Sequence, residues 1–278
     1  SAASNTSFLE YNNELILDSK SSGNQVYIVK ILGSNNYTES PGLESLSTKT
    51  GSPNSRFINA TVFNDKIIYN PWVAGSPSFI EPFVIDLQNS ANTGLLFNIN
   101  TAGGGDSNPR YFTALSSGVL FSAYNPTYGY ELWKTDGTAA GTALFNDINT
   151  GGADSNPNEF NLLGTQLTFV ATHPTLGREL FKTNGNTGSL VLVKDINTSG
   201  DSNPQNVKEI NGVLYFSADN GTVGQELWKS NGLNAGTVLV KDINPSGDAL
   251  PSNFTQVGST TIYFVADDGV NGRELWKT

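Results

Sequence analysis

The segment ELWKTDGTAAGTALFNDINTGGADSNP, Glu131–Pro157, returns as ELFKTNGNTGSLVLVKDINTSGDSNP from Glu179 to Pro204. It returns again as ELWKSNGLNAGTVLVKDINPSGDALP from Glu226 to Pro251, and a fourth copy opens at Glu274 as ELWKT. The four glutamates stand 48, 47 and 48 residues apart. A fixed period of this length restricts the chain to an array of one supersecondary unit, each copy burying its apolar face on the next. Sparse charge with abundant Gly, Asn, Ser and Thr fits many short strands joined by tight turns.

Each complete unit holds four strand-like segments. In the fifth unit they are Asn206–Ile210, Val213–Ala218, Gln225–Lys229 and Thr237–Ile243, designated a to d. Asn211-Gly212 joins a to b, and the c–d turn begins with Asn231-Gly232. Such pairs supply the positive φ angles that hairpin turns require. Segments b (VLYFSA) and d (TVLVKDI) are apolar at nearly consecutive positions, which predicts sheets covered on both faces. Four-stranded antiparallel units of this kind describe propeller blades. No segment keeps a helical period over three turns, which excludes a helical solenoid.

The units span about 8–54, 55–109, 110–157, 158–204, 205–251 and 252–278. The second is a degenerate copy with FINATVF, KIIYNPW, FIEPFVIDL and GLLFNIN, and its Glu81 stands 50 residues before Glu131. The first is more eroded, with FLEYNN, ELILDSK and QVYIVKIL as a to c and its d segment expected within Gly42–Thr50. The expectation is one all-β domain over 1–278, a closed six-bladed β-propeller of four-stranded antiparallel blades with a ~47-residue repeat. The sixth unit ends after c. Either Ser1–Ser7 pairs beside Gly272–Lys277, or the last blade stays three-stranded. With no Met even at its start, the chain reads as processed or as a fragment.

Composition removes several function classes. No Cys means no disulfide and no thiolate metal site, and a single His rules out a multi-histidine centre. A net charge of -10 disfavours nucleic acid and anionic membranes. No apolar run approaches the ~18 residues of a membrane span.

At ELWKTDGTAAGTALFNDIN the chain resembles the bacterial ELWxxDGT repeat family of large secreted or surface proteins. Glu131, Leu132, Trp133, Asp136, Gly137 and Thr138 match that signature, and later copies vary it with Phe181, Asn184-Gly185-Asn186 and Asn231-Gly232-Leu233. The resemblance covers Ala102–Thr278 well and the first hundred residues poorly. It implies extracellular repeat architecture, and no general activity comes with it.

Alternation puts Glu and Trp of Glu-Leu-Trp-Lys on one sheet face and Leu and Lys on the other. Trp133, Phe181, Trp228 and Trp276 are therefore expected as wedges between blades, with sugar stacking as the alternative. Trp72, outside the repeat position, is the candidate exposed aromatic for a ligand. In an up-and-down blade the b–c and d–a connections share one end. That end collects Asp147, Asn149 and Asp154, then Asp195, Asn197 and Asp201, then Asp242, Asn244 and Asp248. It also collects Asp219, Asp267 and Asp268 from b–c turns as candidate ligand contacts.

Carboxylate and amide oxygens at alternating positions beside Gly suit Ca²⁺, which makes the nine d–a residues a candidate calcium set. The equivalent of Asp147 in the second unit is Asn98. Asp-x-Asn also forms Asx-turns without metal, and the interval between the two aspartates is seven residues in one copy and six in two others.

His173 falls in a b–c turn as a loop residue, not a base. There is no nucleophile elbow or phosphate loop. A glycosidase would have to draw its carboxylates from Glu10, Glu14, Glu44 and Glu81. The expected function is a non-enzymatic extracellular module for binding or adhesion to a protein or glycan, within a larger surface assembly and without membrane insertion. A structural spacer and a carbohydrate-active propeller enzyme are the alternatives.

Overall fold

The computed structural model describes residues 8–11, 14–20, 26–32, 36–39, 56–72, 80–102 and 105–278. These form six antiparallel sheets, one per repeat, and helix is confined among them to two 3₁₀ turns, Ser90–Asn92 and Asn234–Gly236. The first sheet holds β1 (Phe8–Tyr11), β2 (Glu14–Lys20), β3 (Val26–Leu32) and β4 (Asn36–Glu39). The second holds β5 (Arg56–Phe63), β6 (Lys66–Trp72), β7 (Phe83–Asp86) and β8 (Gly94–Leu95). The third holds β9 (Arg110–Leu115), β10 (Gly118–Asn125), β11 (Gly129–Thr135) and β12 (Ala143–Asn146). The fourth holds β13 (Asn158–Leu163), β14 (Gln166–His173), β15 (Gly177–Thr183) and β16 (Val191–Lys194). The fifth holds β17 (Gln205–Ile210), β18 (Val213–Asp219), β19 (Gln225–Ser230) and β20 (Val238–Lys241). The sixth has three strands, β21 (Ser252–Val257), β22 (Thr261–Asp267) and β23 (Arg273–Lys277).

Strand order within every sheet is sequential, so each is a meander built by local turns. Asn211 and Gly212 take φ of 53° and 78°, the paired left-handed conformation that a two-residue hairpin turn needs. One expectation is corrected. The fourth strand of the first sheet is Asn36–Glu39, paired with β3 from Val29↔Glu39 to Leu32↔Asn36. It therefore precedes Gly42–Thr50, which lies outside the described residues. Ser1–Ser7 also lies outside them, and β23 pairs only with β22 among described residues.

The chain divides into two compact bodies. One gathers residues up to Ala114 with Gly118–Thr127 and Leu132–Phe145, and the other Leu115–Ser117, Tyr128–Glu131 and Asn146–Thr278. In the first body Ile68 and Val84 of the second sheet pack against Phe112, Val119, Phe121 and Trp133 of the third. In the second body Val170, Leu180 and Val193 of the fourth sheet meet Val207, Phe216 and Trp228 of the fifth. Ile210, Leu227 and Ile243 of the fifth then meet Phe254, Phe264 and Trp276 of the sixth.

Pleat alternation accounts for this arrangement. Leu180 and Leu227 face the following sheet, while Trp133, Trp228 and Trp276 face the preceding one. The tryptophans at the repeat position are thus packing wedges. Phe181 is buried too, stacked on Phe169 at 6.1 Å.

First strands carry a feature that alternation alone does not predict. Register shifts occur in β13, β17 and β21, beside the left-handed residues Glu159, Asn206 and Asn253. Each is a β-bulge, which bends its strand and re-aims a side chain. Glu159 Oε2 consequently accepts the Val207 N–H at 2.9 Å, and Asn161 Nδ2 donates to the Val207 carbonyl at 3.0 Å. These bonds join neighbouring sheets along their first strands.

Candidate functional site

The glutamate that opens each repeat is fully buried at Glu81, Glu131, Glu179 and Glu226. It sits on or immediately before the third strand, where that strand parts from the fourth and the chain turns into the d–a loop. Glu131 Oε2 accepts the Ile148 N–H at 2.8 Å and the Ser155 hydroxyl at 2.7 Å, while Oε1 accepts the Asn149 and Ser155 N–H groups at 3.2 and 3.1 Å. Glu179 accepts the Ile196 and Ser202 N–H groups at 3.2 and 2.9 Å and the Ser202 hydroxyl at 2.5 Å. Glu81 repeats the pattern with Ile99, Asn100 and the Ser107 hydroxyl. Glu226 binds the N–H groups of Ile243, Asn244 and Ala249.

Only an acceptor-only group reaching inward from a strand satisfies a loop full of inward N–H donors. Burial nevertheless raises the carboxyl pKa, to about 6 at Glu131 and about 7 at Glu179, against the opposing pull of these bonds. At Glu179 the nearby Asp195 charge adds to the rise.

The d–a aspartates and asparagines are placed by the same loop. Asp154, Asp201 and Asp248 each use Oδ1 to accept the N–H of the residue just before the glutamate of their own repeat, from Tyr130, Arg178 and Gln225 at 2.8 Å. Asn149, Asn197 and Asn244 each donate Nδ2 to the carbonyl of that aspartate, at 3.0 to 3.1 Å. Asn197 and Asn244 also accept the N–H two residues on, at Ser199 and Ser246, as Asx-turns do.

One buried carboxylate oxygen per loop stands apart from these bonds. Oδ1 of Asp147, Asp195 and Asp242 is buried without a partner. Calcium takes six to eight oxygens, and no group of three or more His, Cys, Asp or Glu converges on a metal position among the described residues. The nine candidate calcium ligands lie three to a d–a loop, two carboxylates and one amide in each.

The b–c turns do lie beside the d–a loops of the preceding sheet. A Cβ on Gly221 would stand 2.8 Å from Asn197 Oδ1, and one on Gly269 would collide with Asn244 Oδ1. Asp219 Oδ1 accepts the Gly221 N–H at 2.7 Å, and Asp267 Oδ1 accepts that of Gly269 at 2.8 Å. Asp268 accepts the N–H groups of Val270 and Asn271, and the Asn271 bond leads in holding its carboxyl below the ordinary range. His173 Nδ1 bonds the Thr175 N–H and hydroxyl within its own turn, and the ring stacks on Phe181 at 6.4 Å. Trp72 closes β6, paired with Arg56.

Two features escaped sequence reading. The glutamate hub was signalled by a nearly constant spacing of Glu and Ser, at 24 residues for Glu131–Ser155 and 23 for Glu179–Ser202. The second is a cavity of about 340 Å³ in the first body, lined by Lys66, Asp86, Asn92, Leu95 and Thr138 among others. Asp86 is spent on the Gln88 and Asn89 N–H groups and on Asn92 Nδ2. No sequence signal pointed to this cavity, because its wall comes from two different repeats.

No family model and no curated protein matches the chain. Among solved structures, a puromycin hydrolase crystallised as a mutant in complex with PGG is similar at 15% identity and a TM-score of 0.52. That similarity covers 98% of this chain and 43% of the hydrolase, so the chain spans less than half of that protein. A puromycin-hydrolyzing peptidase of Mycobacterium tuberculosis gives 8% identity and a TM-score of 0.47, over 94% of this chain and 43% of the other. A putative exo-beta-1,3-galactanase from Bifidobacterium bifidum s17 gives 11% and 0.38, over 80% and 86%. At these identities the puromycin hydrolase likeness is one of all-β fold.

Proposed function

We propose that the six sheets are blades of a β-propeller acting as a non-catalytic, extracellular binding or adhesion module for a protein or glycan. The observation that carries this reading is where the reactive side chains are spent. Glu81, Glu131, Glu179 and Glu226 accept bonds from their own loops, and His173 is bonded inside its turn. Ser107, Ser155 and Ser202 donate to these buried glutamates, not to a general base in an open cleft. Acidic b–c turns in the last two repeats, with Asp219 and Asp267 at equivalent places and Asp268 beside the second, offer similar contacts to a multivalent partner. The resemblance to ELWxxDGT repeats supports a secreted or cell-surface setting and membership of a larger surface assembly.

The fit to less than half of a puromycin hydrolase favours a second reading, an accessory portion of a larger hydrolase. A glycan and protein array run beside a panel of peptidase and glycosidase substrates separates the two. Array binding that Asp219→Ala, Asp267→Ala and Asp268→Ala weaken, without turnover, supports the binding module. Turnover by this chain, or an array on which nothing binds, defeats it. An experimental structure with an open row of sheets would overturn the propeller.

A further inference from the structure

Lys66 opens β6 at a place held by Gly118, Gln166 and Val213 at the starts of β10, β14 and β18. It pairs directly with Asp86 across the sheet, and Ile68 pairs with Val84 two residues on. By pleat alternation all four side chains share one face, the face that packs on the third sheet. An ammonium and a carboxylate therefore stand together in the gap between two sheets. β8 holds two residues, Gly94–Leu95, where β12, β16 and β20 hold four, and Leu95 is left 50% exposed beside the gap. The opposite wall of the resulting cavity of about 340 Å³ is the c–d turn of the third sheet, residues 137–139.

Both walls are fixed by bonds of their own. Asp86 is 8% exposed; its Oδ1 accepts the Gln88 and Asn89 N–H groups at 3.0 and 2.9 Å, and its Oδ2 accepts Asn92 Nδ2 at 3.0 Å. Across the cavity, Thr138 Oγ1 donates to Asp136 Oδ1 at 2.6 Å and accepts the Gly141 N–H at 3.0 Å. Gly137 takes φ of 82°, and a Cβ there would stand 2.7 Å from Lys66 Cδ, so the glycine makes room for the lysine stem. The Lys66 ammonium makes no hydrogen bond among the described residues. Residues 73–79 and 103–104, outside the described residues, join the chain at the other end of these strands. Trp72 pairs with Arg56 about 20 Å along β6 from Lys66, and Asp106 Oδ1 holds the Ile80 N–H beside Glu81.

We propose that this cavity seats one neutral hexopyranose unit of a glycan. The proposal rests on the binding-module reading and gives that reading a ligand class. Lys66 offers three donors, while Asp86 Oδ2 and Asn92 Oδ1 keep acceptor capacity. A sugar hydroxyl accepts and donates at once, so adjacent hydroxyls bridge Lys66 to Asp86 or Asn92 while the C–H face of the ring lies on Leu95 and Val84. A ligand carboxylate would meet Asp86, a ligand ammonium would meet Lys66, and the net charge of -10 disfavours a polyanionic glycan. The volume stands at the small end of the ~300–1,000 Å³ of small-molecule sites, the scale of a sugar unit and not of a protein surface.

The test is titration of the whole isotope-labelled chain with the methyl glycosides of glucose, galactose and mannose, read by amide shifts, with methyl glucuronide as the charged control. At least one neutral glycoside is expected to shift amides of residues 66–68, 84–96 and 136–141 while β17 to β23 stay unmoved, and to bind more tightly than the glucuronide. Lys66→Met keeps the stem across Gly137 and removes the ammonium, and should weaken binding about tenfold, as should Asn92→Ala. No shift at the cavity with any neutral glycoside at about 50 mM, equal affinity of the Lys66→Met chain, or tighter binding of the glucuronide overturns the proposal. Array binding that depends on Asp219, Asp267 and Asp268, with the cavity silent, defeats the cavity and leaves the binding module standing. Glycoside binding at the cavity that those three replacements leave unchanged supports the cavity and counts against the b–c turns as the contact surface. Silence of both array and cavity defeats both.

Discussion

The Ser202 hydroxyl donates to Glu179 Oε2 at 2.5 Å, and both residues are fully buried. The fifth repeat keeps the backbone half of this contact, Ala249 N–H to Glu226 Oε1 at 3.2 Å, but has no hydroxyl. Ser202→Ala should destabilise the chain by about 1.5–3 kcal/mol, the range for a hydrogen bond to a charged group. Ala249→Ser, which restores the bond found in three other repeats, should stabilise it by about 1 kcal/mol. Denaturant unfolding of the two variants measures both. If the two shift stability in the same direction, the hub does not contribute as described.

Burial lifts the carboxyls of Glu131 and Glu179 from an ordinary 4.5 to about 6 and about 7, and lifts those of Glu81 and Glu226 in the same direction. A group whose folded pKa is raised contributes stability that is full below the unfolded value and is lost as pH rises through the folded value. Melting temperature should therefore climb as pH falls from 7.5 to 5. Asp86 and Asp268, whose carboxyls are lowered, act only near and below pH 4, outside that window. Glu179→Gln should flatten part of the slope, because an amide does not titrate in this window. A melting temperature that is flat across the window would refute the assignment.

Leu227 and Leu275 occupy the same repeat position at 1% and 69% exposure. Leu227→Ala should cost about 2–5 kcal/mol through lost burial and the cavity left against Ile262 and Phe264. Leu275→Ala should stay within about 0.5 kcal/mol. Chemical unfolding midpoints of the two variants test this contrast directly.

Each d–a loop holds one buried carboxylate oxygen without a partner, on Asp147, Asp195 or Asp242, while Asp154, Asp201 and Asp248 accept strand N–H groups. With Ca²⁺ held by these loops, EDTA should lower the melting temperature through mass action, and Asp201→Ala should cost about 1–2 kcal/mol even in chelator. An unchanged melting temperature in EDTA would leave every one of these aspartates in the turn-forming role.

Much of the architecture was legible from residues close together in the chain. The 47- to 48-residue period, the four segments per unit and the Asn211-Gly212 hairpin all reappear as sheets and turns. The first repeat was less legible. Its last strand, Asn36–Glu39, is a short polar segment without the apolar run that marks β16 or β20. The candidate site was harder still. Asp-x-Asn and Asp-Ser-Asn-Pro look alike whether they hold a metal or a turn, and only their partners distinguish the two roles.

The sequence by itself determined the repeat, the strand order within each sheet and the pleat alternation that sets Leu and Trp on opposite faces. All three follow from dihedral preferences and side-chain direction over a few residues. Tertiary structure alone decided that Glu179 gathers the N–H groups of Ile196 and Ser202, which lie 17 and 23 residues away. It alone decided that Leu227 is core while Leu275 is surface. Burial and hydrogen bonding are properties of what comes to rest against a side chain, and identical tetrapeptides have different neighbours among the described residues of the fifth and sixth sheets.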